Sequence, residues 1–174
     1  MATRCSITIR TKLGTYKIYR HHDGYPEGVL ADIKMMLEND HGIGDPEYFL
    51  ANLIFLAKLH ELFFEMITRD EKPVFYKGGY GVCSLDCWHG DLEYKYTLYE
   101  DGEEWHIRIE KYDFIHKAWK EIFRGKLWEA IWLYVKPEFK DGCHIQKFLF
   151  ELLDDIHLYL REKYGKKEKA KARQ

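Results

Sequence analysis

Polar and apolar residues alternate over Cys5–Arg10, placing Ile7 and Ile9 on one face, and again over Thr15–His22, where Tyr16 and Ile18 oppose Lys17 and Tyr19. A period of two predicts two strands, joined into a hairpin by Lys12-Leu13-Gly14. At Asp23-Gly24 the pattern changes. Pro26 suits the first turn of a helix, where a missing N–H costs nothing, and Val29, Leu30, Ile33, Met36 and Leu37 recur at spacings of three and four. This first helix is expected to end near His41-Gly42, where glycine accepts a left-handed cap. A second helix opens at Asp45-Pro46-Glu47: Asp at the N-cap, Pro at the first helical position and an acid beside the positive end of the dipole. Its apolar stripe runs from Phe49 through Leu50 and Leu53 to the neighbourhood of Thr68.

Lys72-Pro73 breaks that stripe, and Gly78, Gly79 and Gly81 predict a flexible loop. The Gly-Gly-Tyr-Gly run lacks the Gly-Lys-Ser/Thr ending of a phosphate-binding loop. Leu92–Tyr112 alternates around Asp101-Gly102. Read as a two-residue type I′ turn, that dipeptide pairs Leu98 with Trp105, Tyr96 with Ile107 and Tyr94 with Ile109 on an apolar face. The opposite face pairs Thr97 with His106 and Lys95 with Arg108, with Glu93 beside Glu110. Trp119–Arg124 predicts another strand, ended by Gly125. Leu127–Val135 is apolar on nearly every side and predicts a buried strand, a short helix being the alternative. Ile145, Phe148, Leu149, Leu152, Leu153, Ile156, Tyr159 and Leu160 predict a closing helix. The resulting class is α+β: a single domain over 1–163, an antiparallel sheet covered by about three helices in the order β-β-α-α-β-β-β-(β)-α. Residues 164–174 form a basic tail, expected to be disordered.

Composition fits that picture. A chain of 174 residues, 46% hydrophobic and 32% charged, is long enough to bury one core and has the balance of an ordinary globular protein. Residues 161–174 hold seven Lys/Arg and two Glu, so residues 1–160 carry −7 of the net −2. An acidic body excludes a broad grip on nucleic acid and leaves only weak contact through the basic tail. Residues 1–30 show no apolar h-region, and the longest uncharged stretch, Tyr48–Ala57, is ten residues. Neither a secretory signal nor a membrane span is expected. Four cysteines in a chain of this length predict reduced thiols in a cytoplasm, not a disulfide framework.

Candidate chemistry gathers at the strand-to-helix corner. His21, His22 and Asp23 supply the imidazole and carboxylate of acid–base catalysis near neutral pH. Neighbours on a strand face opposite ways, so the two histidines share a pocket only if the strand has already ended. Asp23 and Glu27 place negative charge where a bare helix N-terminus would attract anions, so the corner suits a cation, an amine or a partner's arginine. Arg20, His22, Asp23, Tyr25 and Glu27 are the binding candidates. The structural alternative is an Asp23 helix cap beside a rigid Tyr25-Pro26 turn. Elsewhere, Cys83-x-x-x-Cys87-x-His89, with Asp91 close by and Cys143-His144 distant, offers zinc ligands, though buried thiols are the plainer account of that irregular spacing. His60-Glu61 begins a zinc-protease pattern that Phe64 leaves incomplete.

The run Tyr19-Arg20-His21-His22-Asp23-Gly24-Tyr25-Pro26-Glu27-Gly28-Val29, between hairpin and helix, resembles a group of small phage and prophage proteins of unknown function. Their motif reads His-Trp-Asp-Gly-Tyr-Pro, and His22 stands in place of the Trp. The resemblance covers residues 4–42, returns loosely over Leu92–Tyr112, and implies a viral or prophage setting in a host cytoplasm without implying catalytic residues. The leading expectation is therefore a virus- or prophage-encoded, non-enzymatic binding protein engaging a host defence component, another host protein or a small ligand. One alternative is a nucleotide or phosphodiester hydrolase centred on His22 and Asp23. The other is a structural zinc-binding module. No cofactor is predicted apart from zinc in that last reading.

Overall fold

In a computed structural model of the protein, the described residues are 3–39, 43–55, 58, 79–87 and 89–135. They form β1 (Cys5–Arg10), β2 (Thr15–Arg20), α1 (Pro26–Asn39), α2 (helical over 46–55), β3 (Tyr80–Val82), β4 (Tyr94–Asp101), β5 (Glu104–Asp113), β6 (Ala118–Lys126) and α3 (Leu127–Tyr134). The chain divides into two compact units, Met1–Lys136 and Pro137–Gln174, and every described residue belongs to the first. The expected His41-Gly42 cap, the second helix beyond Lys58 with His60-Glu61, the Lys72-Pro73 break, Cys143-His144, the closing helix, the 163/164 boundary and the basic tail lie outside the described residues.

The class is α+β, with six strands in the order β3-β2-β1-β4-β5-β6. Neighbours are antiparallel except at the centre, where β1 and β4 run parallel from Cys5 beside Tyr94 to Arg10 beside Tyr99. The sheet is thus mixed where an antiparallel one is expected. Alternation within a strand fixes which face is apolar, but a crossover through helices leaves the direction of the distant partner open. One face carries Cys5, Ile7, Ile9, Ile18, Tyr96, Leu98, Ile107 and Ile109, all buried. Val29, Leu30 and Ile33 of α1, Phe49 and Leu53 of α2, and Leu127, Ala130 and Ile131 of α3 join them in one core. Each fully buried large aliphatic side chain there contributes about 1.5–3 kcal/mol. No helix among the described residues is long and apolar enough to cross a membrane.

Four elements differ from expectation. The β4–β5 hairpin pairs Leu98 with Ile107, Tyr96 with Ile109 and Lys95 with Glu110, two residues along from the expected register. Its turn is Gly102-Glu103, with Gly102 at φ 69 in the first central position and Glu103 not among the positive-φ residues, the type II′ pattern. A shift of two keeps every side chain on its face. It also replaces the like-charged Lys95/Arg108 and Glu93/Glu110 pairs with an opposite-charge Lys95/Glu110 pair, which favours it. Gly125 continues β6 opposite Ile107 and does not end it. Tyr80–Val82, within the expected glycine loop, adds a short edge strand on β2 because Tyr80 buries its ring and reaches Arg20 and Asp32.

Leu127–Tyr134 is helical, not extended. Leu127, Ala130, Ile131 and Val135 point inward at helical spacing while Trp128, Trp132 and Leu133 stay exposed. The exposed aromatics hide this period in the sequence. Glu129 is the local signal: its carboxylate accepts the Lys126 N–H at 3.1 Å, closing the first turn.

Candidate metal centre

The strand-to-helix corner is built on close backbone approach. A Cβ at Gly24 would stand 2.8 Å from the Cys5 nitrogen and 2.9 Å from the Arg4 carbonyl carbon, so only glycine lets the corner lie against β1. The Gly24 N–H donates to the Thr3 oxygen at 2.9 Å, and the Gly24 oxygen accepts the buried Tyr96 hydroxyl at 2.7 Å. At Gly28 a Cβ would meet the Asp23 oxygen at 2.6 Å. The left-handed residue is Asp23, at φ 52, a conformation that Asp tolerates better than most side chains. Pro26 is buried at the start of α1, and the Tyr25 oxygen accepts the Gly28 and Val29 amides, both at 3.1 Å. Asp-Gly-Tyr-Pro-x-Gly is accordingly a joint that seats α1 on the sheet.

Around this joint the candidate side chains part company. Arg20 turns toward α1, donating to Asp32 at 2.7 Å and to the Tyr80 hydroxyl at 2.9 Å; that hydroxyl donates in turn to Asp32 at 2.8 Å. This triad ties β2, β3 and α1 together. His22, Asp23, Tyr25 and Glu27 are exposed. Burial, and after it the Asp23 carboxylate, raises the Tyr25 hydroxyl above its ordinary value. His21 is half-buried, and because β2 has ended at Arg20, its ring meets His22 edge-on at 4.5 Å. The condition for the two imidazoles to come together is therefore met, but His22 lies against His21 while Asp23 engages Tyr25.

His21 leads to a second group. Its Nδ1 lies 2.9 Å from the Tyr19 hydroxyl and 3.3 Å from the Arg4 Nε, which donates. Arginine has no acceptor, so this nitrogen carries the lone pair and Tyr19 donates as well. Arg4 also pairs with Asp91. The Tyr19 ring stacks on His89 at 4.0 Å and 19°. His89 in turn presents Nε2 to two sulfurs, Cys83 Sγ at 3.4 Å and Cys87 Sγ at 3.1 Å. The three ligand atoms lie within 4.8 Å of one another. They occupy the sheet face opposite the helices, since Tyr19 and Lys17 alternate with the inward Ile18.

The donor set and spacing suit zinc. Tetrahedral zinc with bonds of 2.3 Å to sulfur and about 2.05 Å to nitrogen separates S from N by about 3.6 Å. The observed separations of 3.4 and 3.1 Å need to open by only a few tenths of an ångström. The loop is held for it: Lys17 Nζ donates to the Cys87 oxygen at 2.9 Å and the Leu85 oxygen at 3.4 Å, and the Cys87 N–H closes a turn on Ser84 at 3.1 Å. Burial, then the hydrogen bond with Cys87, pushes the Cys83 thiol up to about 11 against the opposing charge of Lys17. Cys5, by contrast, lies wholly inside the core, where burial raises its thiol far above the ordinary range and leaves it inert.

Tyr19, Lys17 and Arg4 are the residues that sequence reasoning missed. The available signal was the two-residue spacing of Tyr19 and His21, which the alternating pattern over Thr15–His22 places on the same side. Compared with known proteins, the chain matches no family model, no curated protein and no solved structure.

Proposed function

We propose that the protein is a zinc-binding α+β domain in which Cys83, Cys87 and His89 hold one metal ion that pins the 83–91 loop to the outer face of β2. The observation carrying this reading is the convergence of two sulfurs and one imidazole nitrogen within 4.8 Å, with S–N separations of 3.4 and 3.1 Å near the tetrahedral value. Tyr19 fixes the plane of His89 by stacking, the kind of outer support that metal-bound imidazoles use. Three ligands come from the described residues, and a fourth position is left for solvent or another donor. On this scaffold the exposed His22, Asp23, Tyr25 and Glu27 form a surface for a host protein or small ligand, a role consistent with the viral or prophage setting that the resemblance implies.

The test is metal stoichiometry by elemental analysis, with affinity from competition against a chromophoric chelator. One zinc per chain is expected, and Cys83→Ser/Cys87→Ser should abolish it. Equal zinc in that double variant, or no saturable uptake by the natural chain, overturns the proposal.

A further inference from the structure

The two candidate ligand sulfurs also lie within 4.8 Å of each other. Both approach a single nitrogen, and only the exposed turn Ser84-Leu85-Asp86 separates them. Cys87 is half-buried and within reach of a small solute, whereas Cys83 is only 8% exposed. Cys5, the other described free cysteine, has no exposed surface with which to compete.

Resting on the metal reading above, we propose that Cys83 and Cys87 form a peroxide-responsive switch whose oxidation to an intramolecular disulfide expels the metal. The Cys87 thiolate attacks one oxygen of hydrogen peroxide; the O–O bond breaks, and the departing hydroxide takes up a proton to leave as water. Cys83 then attacks the resulting Cys87 sulfenic acid, forming the S–S bond and releasing the second oxygen, with a proton, as water. Two thiolates, one peroxide and two protons thus become one disulfide and two waters. Each sulfur loses one electron and each peroxide oxygen gains one. Zinc, unchanged in oxidation state, loses two of its three protein ligands and departs, while His89 keeps its stacking on Tyr19.

The experiment uses the full zinc-loaded chain, titrated with hydrogen peroxide. A chelator reports released zinc, and mass spectrometry of non-reduced, alkylated peptides maps the cysteines. One zinc released per Cys83–Cys87 disulfide, with rebinding after dithiothreitol and added zinc, supports the switch. Zinc uptake followed by sulfinic acid, by retained zinc, or by a bridge to Cys5, Cys143 or a second chain overturns the switch alone. A chain that takes up no zinc overturns the metal reading, and the release step falls with it.

Discussion

Replacing Gly24 with Ala tests whether the Asp-Gly-Tyr-Pro-x-Gly run is a joint. The added methyl would sit 2.8–2.9 Å from the Cys5 nitrogen, the Arg4 carbonyl carbon and the Cys5 Cβ. Two of these are backbone atoms of or beside β1, so no rotamer change relieves the contact. Ordinary contact begins near 3.4 Å, and the corner must retreat from β1 by roughly half an ångström. Overpacking of this kind costs about 1–3 kcal/mol. The retreat also stretches the Gly24–Thr3 and Tyr96–Gly24 hydrogen bonds, worth about 1 kcal/mol each. Gly24 is not among the positive-φ residues, so alanine regains about 0.4–1 kcal/mol by restricting the unfolded chain. The net expectation is a loss of about 2–4 kcal/mol. Equilibrium urea unfolding at neutral pH measures it, and the midpoint should fall with little change in slope. Tyr25→Ala, next door but exposed, should cost less than about 0.5 kcal/mol. A Gly24→Ala loss below about 1 kcal/mol would refute the claim that β1 lies against the corner.

Further predictions concern charge and protons. Asp45 caps α2 by accepting the Glu47 and Tyr48 amides at 3.0 and 3.4 Å, so Asp45→Ala should cost about 1 kcal/mol in the same urea assay. Because burial holds the Cys83 thiol near 11, that group is protonated throughout neutral pH, and the proposed zinc binding requires the loss of that proton. Apparent zinc affinity should therefore rise at least tenfold per pH unit between about pH 6.5 and 7.5, and a pH-independent affinity in chelator competition would remove Cys83 from the ligand set. The His116 side chain, then the His116 and Ile115 amides, hold the Asp113 carboxyl below its ordinary range. Its contribution to stability is thus present at neutral pH and lost as pH falls through that lowered midpoint. Carboxyl NMR titration should show the low midpoint and its rise in His116→Ala.

What the sequence determined by itself is local. Alternation placed Ile7, Ile9 and Ile18 inward, Pro26 opened α1, and Asp45-Pro46 opened α2, because each depends on residues within one turn or one strand of each other. The mechanism failed where two local solutions were equally good. Registers two apart in the β4–β5 hairpin bury the same faces, and the choice fell to the Gly102-Glu103 turn and the Lys95/Glu110 pair. Only the tertiary structure decided that β4 lies parallel to β1, that β3 caps the edge of β2, and that the Cys83–His89 loop folds over Tyr19. These bring together segments about sixty to ninety residues apart, and burying whole faces, which no short-range pattern encodes, selects among such pairings. The corner and the cysteine loop read as separate features in the chain; Tyr19, stacked on His89 and hydrogen-bonded to His21, brings them side by side.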